Sequence, residues 1–184
     1  TGSQRYPSQW GGDPQADWGG LAASIRGGLS WGMTGAPYYA TDVGGFYGDQ
    51  RDPLLYVRWA QASVWSAHMR LHGIGAREPW SYGPEAEHAA AAALELRYRL
   101  LPYLWRAVQQ ASATGLPVQR AMALACPGEP EAWGFDHQFF CGDDLLVAPC
   151  LEPSGRVRVY LPDGEWCRFP GGERLAGGRT HELV

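Results

Sequence analysis

The chain has 184 residues, a formal net charge of −4, 45% apolar side chains, nine Trp and nine Tyr. It is long enough to bury a real core and too apolar and aromatic to be disordered. The absence of any Lys/Arg run argues against nucleic acid or an anionic membrane surface as partner, and no stretch is long and apolar enough to span a bilayer.

In chain order, Ser8 to Trp10 is a short strand candidate that ends at Gly11-Gly12-Asp13. Residues 16–33 carry Trp18, Leu21, Ala22, Ile25 and Leu29 at helical spacing, with Asp17 as N-cap, and Gly27-Gly28 predicts an end or a bend. Tyr38 to Thr41 reads as the next strand, with Asp42-Val43-Gly44-Gly45-Phe46 as its exit loop. A second helix is expected from about Asp52 to Trp65, capped by Asp52 with Pro53 in its first turn. Ser66 to Leu71 reads as a third strand, followed by a long loop through Pro79-Trp80. The longest helical stretch runs from Glu85 to about Thr114, where Pro102 predicts a kink or a split and Gly115 a C-terminal cap.

After Pro117 the period changes. Val157, Val159 and Leu161 alternate with Arg158 and Tyr160, and Asp163-Gly164 marks a turn before Glu165 to Phe169. Phe139-Phe140 and Leu145 to Ala148 add strand material. Alternating strands and helices over 1–116 therefore give way to an all-β region over 117–184. The four cysteines lie in the last third without a Cys-x-x-Cys pair, so buried free thiols are expected rather than a zinc site.

The polar residues at the strand exits share one phase. Asp13, Asp42 and His72 are 29 and 30 positions apart (42 − 13 and 72 − 42), about the length of one βα unit. Three such residues would gather on one rim of a parallel barrel, where these folds build active sites. Each has a plain structural alternative: a cap or loop carboxylate for Asp13, a turn former for Asp42, a core histidine for His72. Burial of Asp13 against Trp10 would suit a general acid. Asp13, Asp42 and His72 as metal ligands would be a weak set. No Gly-x-Ser-x-Gly elbow or phosphate-cradling glycine pattern is present.

Several segments together carry a resemblance. Trp10 to Asp13, Leu21 to Gly28 with Leu29-Ser30, Asp42 to Phe46, Arg58-Trp59 and Ser66 to Gly73 are similar to glycoside hydrolase family 31, the exo-acting α-glucosidases and α-xylosidases. Pro79-Trp80, Arg97 to Leu104, Gly142 to Pro149 and Val159 to Trp166 continue the likeness in the same order. Leu29-Ser30 and Arg120-Ala121-Met122 lean towards the α-xylosidase branch.

The resemblance implies an α/β fold: the last three βα units of a (β/α)8 TIM barrel, then the start of an all-β sandwich, in a chain cut at both ends. It places Asp13 on the catalytic acid/base, and Trp10, Asp42, Phe46 and His72 on the subsite for the terminal sugar. It implies a retaining enzyme acting on terminal α-linked xylose or glucose of an oligosaccharide or α-glycoside, with no metal and no cofactor. The nucleophilic carboxylate would come from an earlier strand, so the isolated chain is expected to be inactive. A non-catalytic carbohydrate-binding homologue is the alternative. Oligomeric state is open, and a cytoplasmic location is the favoured expectation.

Overall fold

A computed structural model describes residues 5–48 and 51–184. The first part is an arc of parallel strands with helices between them. Strand β1 (Ser8–Trp10) leads to helix α1 (Trp18–Met33), and β2 (Tyr38–Ala40) runs almost directly into β3 (Asp42–Val43). Helix α2 (Pro53–Ser63), β4 (Arg70–Leu71) and helix α3 (Pro84–Thr114) follow. β1 pairs with β2, and β3 with β4, both parallel, with Trp10 opposite Ala40 and Asp42 opposite Arg70. Parallel neighbours joined by helices place all strand C-termini on one rim.

The helix starts follow from side-chain capping. The Asp17 carboxylate accepts from the Gly20 N–H at 2.6 Å, and Asp52 accepts from Leu54 and Leu55 at 2.9 and 3.1 Å. Leu21, Ile25 and Leu29 bury one face of α1. Ala86, Ala90, Ala93, Leu100, Leu104, Ala107 and Ala111 do the same for α3, and both helices share a core with Val43, Leu55, Tyr56 and Trp59.

Two local expectations are narrowed and one is corrected. Gly27-Gly28 does not end α1, which continues to Met33. Gly28 instead makes room for a ring, since a Cβ there would lie 2.5 Å from Tyr39 Cδ1. Pro102 does not split α3, which runs from Pro84 to Thr114. Pro102 and Tyr98 are both exposed, so water can serve the Tyr98 carbonyl that Pro102 leaves without a donor. The strand expected from Ser66 shrinks to Arg70–Leu71. The preceding carbonyls of Val64, Ser66 and Ala67 are taken by the Arg97 guanidinium, with bonds of 2.7 Å to Val64 and 2.9 Å to Ala67.

Gly115 adopts φ 79° and closes α3 by donating to Ala111. The sheets beyond it are antiparallel. β5 (Gln119–Ala121), β6 (Phe139–Cys141) and β7 (Leu145–Val147) form one sheet in that order. β8 (Val157–Leu161) pairs with β11 (Arg179–Leu183), and β9 (Glu165–Cys167) with β10 (Arg174–Ala176). The region is not purely strand: helix α4 (Met122–Ala125) and a 3-10 turn at Pro130–Gly134 interrupt it. All four cysteines are free, but only Cys141 is buried.

Helix α3 anchors this second part. The Tyr103 hydroxyl donates to the Cys141 carbonyl at 2.7 Å and accepts from the Asp144 N–H at 3.1 Å. The buried Arg120 donates to Asp143 and to Gln110 Oε1, the latter at 3.0 Å. Among the described residues no helix is long and apolar enough to cross a membrane.

Candidate active site

Asp42, at the first position of β3, is fully buried at 0% exposure. A carboxylate out of water needs strong donors. Two reach it from the neighbouring strands: Trp10 Nε1 donates to Oδ2 at 3.2 Å from the end of β1, and Arg70 Nε donates to Oδ1 from β4. The Arg70 guanidinium also lies over the Trp10 ring, 5.2 Å from its centroid. Both partners are themselves partly open to solvent, so this buried charge sits directly beneath an accessible surface.

Aromatic rings line that surface. Trp10 meets Phe46 edge-on at 6.4 Å, and Phe46 meets His72 at 5.5 Å between centroids. Trp10 is 45% exposed and the His72 ring is exposed, so an apolar wall with an imidazole at its end faces outward. Rings of this kind can stack on the apolar faces of a sugar, while Arg70 and His72 offer polar groups to hydroxyls.

The loops that carry these groups are stitched by main-chain bonds. The Phe46 and Tyr47 N–H groups donate to the Pro14 carbonyl at 2.7 and 3.3 Å, and the Ala16 N–H donates to Tyr47 at 2.8 Å. The Ile74 N–H donates to the Phe46 carbonyl at 2.6 Å. Asp13 precedes Pro14, so its backbone is fixed against the Phe46 loop although its side chain is exposed. Below Gly11 stands Tyr39, whose hydroxyl would be 2.2 Å from a Cβ at that position. Burial, and secondarily the Asp42 charge, pushes the Tyr39 phenol up to about 12, so it is neutral near pH 7.

The arrangement brings together four of the residues singled out from the sequence: Trp10, Asp42, Phe46 and His72. It does not bury Asp13 against Trp10, whose indole is directed to Asp42 and Arg70 instead. The Asp42 side chain is committed to its two donors, while its carbonyl also accepts from Gly45 at 3.0 Å and so shapes the turn as well. His72 is exposed rather than a core histidine. His68 belongs elsewhere: its Nε2 pairs with Ser8 Oγ at 2.9 Å. Among the described residues no three His, Cys, Asp or Glu side chains converge as metal ligands. Sequence reasoning passed over Arg70 and Arg77. The signal for Arg70 was its place on the strand next to Asp42, which pairs the two once β3 and β4 align.

A recess of about 640 Å3 opens between α2, α3 and the second part, lined by Ala93, Leu96, Leu146, Val159, Trp166 and Phe169 among others. It contains none of the rim residues and is largely apolar.

Comparison with known proteins agrees with this fold. Residues 1–107 match the glycosyl hydrolases family 31 TIM-barrel domain, and residues 115–184 match the family's C-terminal domain. The chain is 36% identical to an alpha-xylosidase of Emericella nidulans, over 98% of this chain and 24% of that protein. A GH31 alpha-xylosidase from a soil metagenome, solved with xylose, superposes with TM-score 0.89 at 34% identity, covering 94% of this chain and 30% of that one. A cycloalternan-degrading enzyme from Trueperella pyogenes, solved with a covalent intermediate, gives TM-score 0.94 at 30% identity, over 100% of this chain and 27% of its own. The chain spans about a quarter of the length of the curated relatives it matches. The fold is thus a family 31 TIM-barrel portion followed by the C-terminal domain, and the chain belongs to glycosyl hydrolase family 31.

Proposed function

We propose that the chain is part of a retaining exo-α-glycosidase that releases terminal α-linked xylose or glucose. The observation that carries this reading is the buried Asp42 carboxylate under an open wall of Trp10, Phe46 and His72, at the C-terminal ends of adjacent parallel strands. Such a surface can hold one sugar ring by stacking and by hydrogen bonds to its hydroxyls, with His72 as an exposed polar contact and the buried Asp42 holding Trp10 and Arg70 in place beneath it. Asp13, exposed on the loop stitched to Phe46, is the group free to act on a glycosidic oxygen.

In this mechanism a carboxylate from outside these 184 residues attacks the anomeric carbon while protonated Asp13 gives its proton to the departing oxygen. Asp13, now a carboxylate, takes a proton from water, and that water displaces the enzyme carboxylate from the sugar. Two inversions give net retention, which requires the two carboxyls roughly 5–5.5 Å apart. Acid–base assistance contributes about 10²–10⁴ in rate. The covalent intermediate of the Trueperella relative and the xylose bound to the metagenomic one support the two halves of the proposal.

The test is Asp13→Asn in the full-length enzyme. Glycosides with poor leaving groups should lose nearly all turnover, and activated aryl glycosides should lose less because they need no proton to depart. Equal losses on both would count against the acid role. Aryl α-xyloside and aryl α-glucoside compared on the wild type identify the sugar. The 184 residues alone should show no turnover, because the nucleophile is supplied from elsewhere.

A further inference from the structure

Arg77 is a buried guanidinium, 8% exposed, on the loop that follows β4 and His72. It reaches several main-chain carbonyls and also the Tyr82 side chain. Nε donates to Gly45 at 2.7 Å, and one terminal nitrogen donates to both Phe46 and Gly48 at 3.4 Å. The other donates to Ala76 at 3.1 Å. A single planar fork therefore gathers carbonyls from across the 45–48 loop.

The surroundings are built to receive it. Gly44 and Gly45 have φ of 87° and 82°, the left-handed region that glycine enters freely. A Cβ on Gly44 would lie 2.8 Å from the Tyr56 ring, and one on Gly45 would lie 2.4 Å from Ala16 Cα. A Cβ on Gly73 would fall 2.8 Å from Arg77 Nε and from the Gly45 and Phe46 carbonyls. The Tyr56 hydroxyl donates to the Arg77 carbonyl at 2.7 Å, while its ring stacks on Tyr82 at 4.0 Å. Three rim loops, around Asp13, Phe46 and His72, thus meet within one or two bonds of one cation.

We propose that Arg77 is a positioning residue for the reaction, setting Phe46 directly and Asp13 through the Pro14 carbonyl that accepts from the Phe46 N–H. It touches no substrate. The inference rests on the reading of Asp13 as acid and of Phe46 as sugar wall. Displacing a reacting group by about 1 Å can cost on the order of 100-fold in rate, so an anchor remote from the chemistry should register in turnover.

The experiment uses the full-length enzyme with Arg77→Met, Arg77→Lys and Asp13→Asn, each assayed on an activated and a poor leaving group below its melting temperature. Arg77→Met should keep the wild-type circular dichroism spectrum and lose about 10–100-fold in kcat/KM, more on the poor leaving group. Arg77→Lys should fall between, because an ammonium cannot reproduce the fork. Wild-type kcat and KM in folded Arg77→Met, with Asp13→Asn crippled, would overturn the positioning role alone. If Arg77→Met does not fold, a folded Arg77→Lys with wild-type kcat/KM overturns it equally. Wild-type turnover by Asp13→Asn would overturn the underlying reading of the site.

Discussion

Trp10 and Asp42 come from neighbouring strands and meet through the indole N–H, which donates to a carboxylate oxygen that water cannot reach. The indole thus has two jobs, a half-exposed ring face and a buried donor. Trp10→Phe separates them, keeping a ring and removing the donor. A hydrogen bond to a charged group is worth about 1.5–3 kcal/mol, so the full-length variant should lose roughly tenfold or more in kcat/KM. Kinetics of Trp10→Phe beside Trp10→Ala measure this. If Trp10→Phe behaves as wild type, the donor is irrelevant and the ring alone matters.

Adjacent glycines in α1 should respond in opposite directions. A Cβ on Gly28 would press to 2.5 Å against Tyr39, whereas one on Gly27 comes no nearer than 3.9 Å to any neighbour. Gly28→Ala overpacks a closed contact and should destabilise by about 1–3 kcal/mol. Gly27→Ala should instead stabilise by up to about 1 kcal/mol, because alanine is the better helix former. Thermal melts of the two single variants decide it. Melting temperatures that move the same way would reject the packing argument.

That pair also shows where the sequence was readable and where it was not. Caps and alternation are local, so Asp17, Asp52 and the Val157–Leu161 strand could be read directly, as could the common phase of Asp42 and His72. Gly27-Gly28 reads as a helix end or bend because the reason for Gly28 is Tyr39, eleven positions away (39 − 28) and visible only after packing. Ser66 to Met69 reads as the start of a strand, but Arg97 from α3 occupies carbonyls there. Arg70 and Arg77 act through partners roughly thirty positions upstream, a separation that no local pattern records.

Gln138 carries a stability prediction for the second part. It is fully buried and pairs with Tyr160 as a strand neighbour would: its Nε2 donates to the Tyr160 carbonyl at 2.6 Å and its Oε1 accepts from the Tyr160 N–H at 2.9 Å. Gln138→Leu leaves both main-chain groups of Tyr160 without that partner, at about 1–3 kcal/mol for each unsatisfied group. Gln138→Glu keeps the acceptor but sets a second oxygen against the carbonyl. Both should lower the denaturant midpoint in urea unfolding. An unchanged midpoint for Gln138→Leu would show that the side chain is dispensable there.

His68 should make stability depend on pH. Partial burial of its ring, and then the nearby Arg97 charge, hold its pKa below the ordinary 6.5. The folded state therefore prefers the neutral ring, which pairs with Ser8 Oγ and meets Tyr38 edge-on at 6.4 Å. An unfolded chain takes up a proton near 6.5 while the folded one does not, so unfolding gains protons and stability falls with falling pH. The contribution is fully present above the unfolded pKa and is lost as pH falls from there through the lower folded value. His68→Gln removes the titration while keeping a side chain able to reach Ser8. Melting temperatures of the full-length wild type and variant at about pH 7.5 and about pH 5.5 test the sign. The drop between the two conditions should be smaller in the variant, and an equal or larger drop would mean that His68 is not the group responsible.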